Sequence, residues 1–105
     1  MNIISKGTDN INYNSLIKLL TDQNFKKVDF VYSHGEYAVR GNIIDIFSYA
    51  EKNPCRVVFQ SNNINYLKIF NPSDKLSNKD VDYFRIITYI VDKDVDYFRI
   101  ITYIA

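Results

Sequence analysis

Apolar residues along this chain change their spacing near residue 25. From residue 16 to residue 20 they follow one face of a helix, which predicts a helix capped by Asn12 or Asn14 and ending near Gln23. Beyond residue 25 the spacing approaches two, and β-branched and aromatic residues predominate, as is typical of strands. A short leading strand is expected at residues 2–6, and the later strands are expected at residues 26–32, 36–40, 43–48, 55–60 and 63–70.

The connections between the later strands are short. They read SHGE, YAEKNP and SNN, and connections of this length favour antiparallel neighbours. Gly41 and Asn42 interrupt the alternation of their run, which indicates a β-bulge. The predicted fold class is α+β, with a mostly antiparallel β-sheet meander, one packed N-terminal helix and a C-terminal β-hairpin.

The end of the chain contains a tandem repeat that supplies this hairpin. Residues 79–90 read KDVDYFRIITYI, and residues 93–104 have the same sequence. Two copies are too few for a solenoid, and their β-branched and aromatic content disfavours a helix. We expect the first copy to complete the sheet and the second to pair beside it as a new edge, which invites self-association. The predicted domains are therefore residues 1–78 and a duplicated strand segment, residues 79–105.

Two arginines occupy strand-like runs that are otherwise apolar. Arg40 and Arg56 each place a cation where burial costs free energy unless the side chain reaches solvent or a partner. Strand parity puts Arg56 and Gln60 on one face of the second run, opposite Cys55. The face that carries Arg56 is therefore the expected surface.

Composition excludes several classes of function. With 105 residues and a net charge of +1, the chain is long enough for one small domain and lacks the basic excess of a strong DNA binder. It has three glycines and no phosphate-binding loop, so an ATPase motor is excluded and an enzyme is not expected. No apolar run reaches the roughly 18 residues of a membrane span. A cytoplasmic protein without membrane contact is the simplest interpretation.

Candidate catalytic and metal-binding residues are few. His34 is the single histidine and lies in a turn, and Cys55 is the single cysteine and suits a small core position. No catalytic residue, metal or cofactor is therefore expected. The nine tyrosines could stack on nucleic-acid bases, but their strand parity mixes core and surface, so direct nucleic-acid contact is not the preferred interpretation.

Several motifs occur in an order that resembles one protein family. Residues 35–47 read GEYAVRGNIIDIF, followed by a proline-punctuated gap and then CRVVF. The upstream segment LIKLLTDQNFKKVDFVYSHGEY and the downstream segment VVFQSNNINYLKIFNPSDKLS continue the likeness over residues 3–78, with Asn24 where the family has glycine. In this order the motifs are similar to the UvrB-interaction domain of the transcription-repair coupling factor Mfd, which is related to a domain of the excision-repair protein UvrB.

The resemblance implies a module that docks UvrA, the ATPase that surveys DNA for damage. It implies that Arg40 and Arg56 bind this partner, and it places Gln60 at a third position, where the family has an aromatic residue. The family's Gly-Asp-Glu turn becomes residues 61–63 here, and the asparagines are expected to keep the hairpin. Two alternatives remain: a truncated remnant that self-associates through residues 79–105, and a weak nucleic-acid binder.

Arg40 also has a purely structural interpretation. Without the resemblance it would pair with a nearby carboxylate such as Glu36 or Asp45. Asp45 matches an acid of the family, and we expect it to accept hydrogen bonds or to pair with an arginine.

Overall fold

The computed structural model describes residues 2–6, 11–49, 51–74 and 78–87. These ranges contain one helix and eight strands, which confirms the predicted α+β class. In chain order the elements are β1 (Asn2–Ser5), α1 (Tyr13–Asp22), β2 (Lys26–Lys27), β3 (Glu36–Arg40), β4 (Ile43–Phe47), β5 (Cys55–Gln60), β6 (Asn63–Phe70), β7 (Asn78–Val81) and β8 (Tyr83–Ile86).

The strands form two sheets. The larger sheet has the order β2-β3-β4-β5-β6-β7, and from β3 to β7 every neighbouring pair is antiparallel, as the predicted meander requires. The smaller sheet consists of β1 paired antiparallel with β8. Since β1 and β8 lie near opposite ends of the described chain, this pair closes the fold.

The helix begins at the residue that the sequence indicated. Asn12 caps α1 by accepting a hydrogen bond from the backbone N–H of Ser15 at 2.9 Å, and the Ser15 hydroxyl accepts one from the Asn12 N–H at 2.8 Å. The helix ends at Asp22, and Asn24 follows with φ +66°. Asparagine tolerates this left-handed conformation, which explains how it can stand where the related family has glycine.

One face of the larger sheet, which we call the inner face, carries the main core. Its buried side chains come from alternate positions of β3 to β6, and Leu16 and Leu20 of α1 pack against them. The small sheet packs on the same core through Ile4 of β1 and through Phe84 and Ile86 of β8. We call the opposite face of the sheet the outer face, and it carries a smaller apolar cluster.

The segment after the helix differs from the predicted strand at residues 26–32. Only β2 is strand there, and it runs parallel to β3, so the expectation of antiparallel neighbours across this connection was wrong. Residues 28–31 instead fold over the outer face, where Val28 and Val31 pack with Phe47 and Phe70 in a second small cluster. Burial of these apolar side chains outweighs the backbone pairing that a longer strand would have gained.

Two turns show what glycine and asparagine do in this chain. Gly41 and Asn42 do not form the predicted bulge. They are the two-residue turn of the β3–β4 hairpin, because Arg40 pairs with Ile43 and Gly41 has φ +59°. The turn at Ser61 and Asn62, both with positive φ, keeps the β5–β6 hairpin, as expected from the asparagines.

The first copy of the repeat divides between the two sheets. Its beginning forms β7 and completes the larger sheet beside β6, as predicted. Its centre leaves that sheet and forms β8 against β1, because Phe84 and Ile86 are buried in the main core. The predicted C-terminal hairpin involves residues 88–105 and lies outside the described residues, and the predicted boundary after residue 78 stays a prediction.

Candidate partner-binding face

The candidate site lies on the outer face of the larger sheet. Strand register places Asp45 of β4 beside Arg56 of β5, and Arg56 beside Lys68 of β6. Lys68 in turn lies beside Asp80 of β7. Directly opposite residues on one face of an antiparallel pair touch, so these four side chains form one charged row across four strands. Arg40, the last residue of β3, reaches this row from its side.

Asp45, at the β4 end of the row, binds both arginines. Arg56 binds it through two hydrogen bonds, from Nε to Oδ1 at 2.8 Å and from Nη2 to Oδ2 at 3.0 Å. Arg40 donates from Nη2 to Oδ2 at 2.5 Å. The Asp45 side chain is 3% exposed, whereas those of Arg40 and Arg56 are 36% and 33% exposed. One buried carboxylate therefore orients two arginine side chains that are about one-third exposed, through charge-assisted hydrogen bonds.

Of the two carboxylates predicted as partners of Arg40, Asp45 is the one that binds it. Glu36 instead accepts hydrogen bonds from the backbone N–H groups of Tyr32 and Ser33, at 2.8 and 2.9 Å. Arg40 also donates from Nη1 to the carbonyl oxygen of Asp29 at 3.1 Å. The segment that covers the outer face thus helps to fix the position of Arg40.

Each cation of the site also lies over an aromatic ring. Arg56 Cζ is 4.9 Å from the ring centre of Phe70, and Arg40 Cζ is 5.3 Å from that of Phe30. Lys68 Nζ is 5.2 Å from the ring centre of Tyr66. Such cation–π contacts are worth about 0.5–1 kcal/mol at exposed sites. They restrict each cation further, so the face presents positive charge in a fixed arrangement.

The two arginines keep donors for a further ligand. A guanidinium group has about five N–H donors, and the contacts with Asp45 and Asp29 engage two from each arginine. Hydrogen bonds to Asp45 raise the pKa of the Arg56 guanidinium, so this group is charged at every physiological pH. The site can therefore bind an acceptor that carries negative charge.

Gln60 lies at the end of the same face and apart from the arginine pair. It is exposed, it is the last residue of β5, and it pairs with Asn63 across the turn. It follows Arg56 by four positions along β5, which is about 13 Å at the usual rise. The three predicted residues thus form a strip along one face rather than a compact cluster.

Sequence reasoning missed four members of the face: Phe30, Tyr66, Lys68 and Phe70. Counting back from the pairing of Gln60 with Asn63 would set Leu67 opposite Arg56 and would place Lys68 on the inner face. The register shift between Val58 and Phe59 instead sets Lys68 opposite Arg56, so parity from the turn could not have found it. Phe30 was assigned to the strand expected at residues 26–32, which ends at Lys27.

His34 and Cys55, the residue types with catalytic potential, both make contacts that stabilise the fold. The His34 ring packs 4.2 Å from that of Phe47, and its Nε2 lies 2.7 Å from the carbonyl oxygen of Glu51. Cys55 is 0% exposed in the main core, and burial raises the pKa of its thiol. Among the residues that the structure describes, no group of three or more His, Cys, Asp or Glu could hold a metal ion. Within the same ranges, no helix is long and apolar enough to cross a membrane.

Comparison with known proteins identifies the family. Residues 4–89 match the model of the UvrB interaction domain. Three transcription-repair-coupling factors are similar to this chain: that of Borreliella burgdorferi, 37% identical over 75 residues, that of Mycobacterium tuberculosis, 30% over 77, and that of Escherichia coli, 26% over 85. These matches cover 71%, 73% and 81% of the chain but 7%, 6% and 7% of those proteins. The chain therefore belongs to the UvrB interaction domain family.

Proposed function

We propose that the outer face docks a UvrA-like protein in nucleotide excision repair or transcription-coupled repair. The observation that carries the proposal is the pair Arg40 and Arg56, held on one buried carboxylate within a chain of the UvrB interaction domain family. The transcription-repair-coupling factors that resemble this chain support the connection with repair. The role is non-catalytic, because an interaction domain binds its partner and leaves nucleotide hydrolysis to other domains.

The chemistry of the face defines what the partner should present. Two guanidinium groups with unfilled N–H donors match carboxylates, which accept two parallel hydrogen bonds from one arginine. Lys68 extends the positive charge along the row, and its side chain is 36% exposed. The partner surface is therefore acidic, and complementary charge will raise the rate of encounter at low salt.

Asp45 prepares the face for this contact. An arginine that becomes ordered only on binding costs about 0.5–1.5 kcal/mol of side-chain entropy. Here the hydrogen bonds to Asp45 and the rings of Phe30 and Phe70 order both arginines before the partner arrives. Because folding has already ordered both side chains, binding loses less side-chain entropy.

Gln60 contributes at the margin of the docking face. Its amide can donate and accept hydrogen bonds at an exposed position, but it offers less apolar area than the aromatic residue of the related family. Exposed polar contacts at the rim of an interface contribute little to affinity. We therefore assign most of the binding free energy to Arg40 and Arg56.

Titration of the full chain with the cognate UvrA, by calorimetry, tests the proposal. Arg40→Ala and Arg56→Ala should each weaken binding about thirtyfold, since interface arginines typically contribute about 2 kcal/mol. Arg85→Ala is the matched control: Arg85 is 44% exposed and pairs with Glu51, so it resembles the two arginines but belongs to β8. Gln60→Ala should change the affinity less than threefold, which corresponds to about 0.6 kcal/mol.

Two results would contradict the proposal. One is the absence of binding at tens of micromolar from a folded monomer. The other is an equal loss of affinity in Arg85→Ala and Arg56→Ala, which would place the contact elsewhere on the domain.

A further inference from the structure

The first copy of the repeat occupies a place that we call the terminal seat, formed by β1, Ser48, Glu51 and the main core. Phe84 and Ile86 enter the core from β8 and are 3% and 0% exposed. The register sets Ser5 of β1 opposite Tyr83. Residues of the first copy therefore fill the seat with both side chains and backbone.

Polar contacts make the terminal seat selective for this sequence. The N–H of Ile87 donates to the buried Ser48 hydroxyl at 2.6 Å, and the carbonyl oxygen of Ile87 accepts from Tyr49 N–H at 3.1 Å. Arg85 Nε donates to Glu51 at 2.8 Å. A segment that fits must thus offer an aromatic residue, an arginine and two isoleucines in this order.

The chain carries such a segment twice. Residues 93–104 repeat residues 79–90 without a change, so every residue that enters the seat has an identical counterpart 14 positions later. Phe98 corresponds to Phe84, and Arg99 corresponds to Arg85. An identical sequence offers the seat the same side chains in the same order. We propose that residues 93–104 exchange with residues 79–90 for the terminal seat within one chain.

The two arrangements differ in the length of the connection from β6. Residues 71–77 connect β6 to β7 when the first copy is seated, and residues 71–91 would connect them when the second copy is seated. The longer loop has about three times as many residues, and closure probability falls with roughly the 3/2 power of length, which favours the first copy about fivefold. About one chain in six then holds the second copy in the seat.

Disulfide trapping in the full chain tests the exchange. Ser5→Cys combined with Tyr83→Cys is the positive control, since these positions are direct neighbours in the register. Their Cα atoms are about 4.5–5.5 Å apart in such a pair, within the range of a disulfide. Ser5→Cys combined with Tyr97→Cys reports on the second copy. Cys55 is 0% exposed and does not compete, and single-cysteine variants exclude other pairings.

The exchange predicts a disulfide in both double variants, each in a monomer on a non-reducing gel. The pair with position 97 should form at about one fifth of the initial rate of the pair with position 83, as the loop lengths require. No disulfide at position 97 would overturn the exchange and favour the hairpin in which the second copy only flanks the first. A disulfide at position 97 found only in covalent dimers would also overturn it, in favour of self-association.

A second measurement does not depend on engineered cysteines. Phe84→Ala should raise the unfolding constant only about sixfold, because the second copy then takes the seat at the cost of the longer loop. Phe84→Ala with Phe98→Ala should raise it by about a hundredfold or more, as for other buried phenylalanines. Phe98→Ala alone should have almost no effect. Equal losses in Phe84→Ala and in the double variant would overturn the exchange.

Discussion

The two faces of the larger sheet use the same strands and are held together in different ways. On the inner face Ile44, Val57 and Leu67 are neighbours in the register and are all 0% exposed. On the outer face the next row contains Asp45 beside Arg56. The inner row gains stability from apolar area that several side chains share, whereas the two arginines of the outer face depend on one buried carboxylate. Substitutions on the inner face should therefore mainly lower stability, and substitutions on the outer face should mainly lower affinity for the proposed partner.

The largest effect is expected on the inner face, from Leu67→Ala. Leu67 is 0% exposed in the main core, and such a truncation costs about 2–5 kcal/mol through lost burial and a residual cavity. Urea denaturation will show a lower midpoint with an unchanged slope. The proposed binding of UvrA should be unchanged in the folded fraction, because the outer row is untouched. An affinity that falls together with stability would show that the two faces are coupled.

Much of this division could be predicted from the sequence, because it follows from local rules. The shift from helical to alternating spacing located α1 and the strands β3 to β6, and Asn12 marked the start of the helix. The strand expected at residues 26–32 failed for a tertiary reason. Val28 and Val31 bury themselves on the outer face, and a pattern of residue types does not reveal which surface lies within reach.

The site was predictable only in part for the same reason. Parity placed Arg56 on a surface face, and the structure puts it there. The rings beneath the cations come from distant segments: Phe30 from the covering loop and Phe70 from β6. Their position depends on a register shift at Val58 and on a loop path, which residue types alone do not encode.

Alkaline pH should lower the free energy of unfolding through Cys55 on the inner face. The expected loss lies between those for Leu67→Ala and Asp45→Asn. Burial, and to a lesser extent the charge of Asp45, raises the pKa of this thiol, so it stays protonated in the folded chain. In the unfolded chain it ionises near pH 8.5. Above that pH the unfolded state binds fewer protons, so stability falls by about 1.4 kcal/mol per unit, or about 2 kcal/mol at pH 10. Below pH 8.5 this group contributes no pH dependence.

Denaturation curves between pH 8 and pH 10 will measure this slope. Cys55→Ala is the control, because it removes the thiol and no other ionisable group. The variant should show a flatter dependence on pH, even though its stability at pH 7 is lower. Equal slopes in the two proteins would contradict a protonated thiol in the folded state.

The smallest effect on stability, and the sharpest test of the outer face, is expected from Asp45→Asn. The amide keeps the shape and one acceptor oxygen but loses the charge that holds Arg40 and Arg56. Because both arginines are about one-third exposed, solvent can replace part of the contact, and we expect a loss of about 1 kcal/mol. Asp80→Asn is the matched control: Asp80 lies in the same row but is 72% exposed, so its loss should cost less than about 0.5 kcal/mol.

The affinity of Asp45→Asn for UvrA then shows whether Asp45 assists binding by holding the two arginines in place. Its removal has two opposing consequences, because it makes the face more positive and also releases two ordered arginines. Reordering two side chains costs about 1–3 kcal/mol, which exceeds the gain of about 1 kcal/mol or less from one more unit of exposed charge. Asp45→Asn should therefore bind UvrA about tenfold more weakly in calorimetry, whereas Asp80→Asn, which adds the same charge without releasing an arginine, should bind at least as tightly as the parent. Tighter binding by Asp45→Asn would mean that charge, rather than the fixed position of the arginines, governs the docking face.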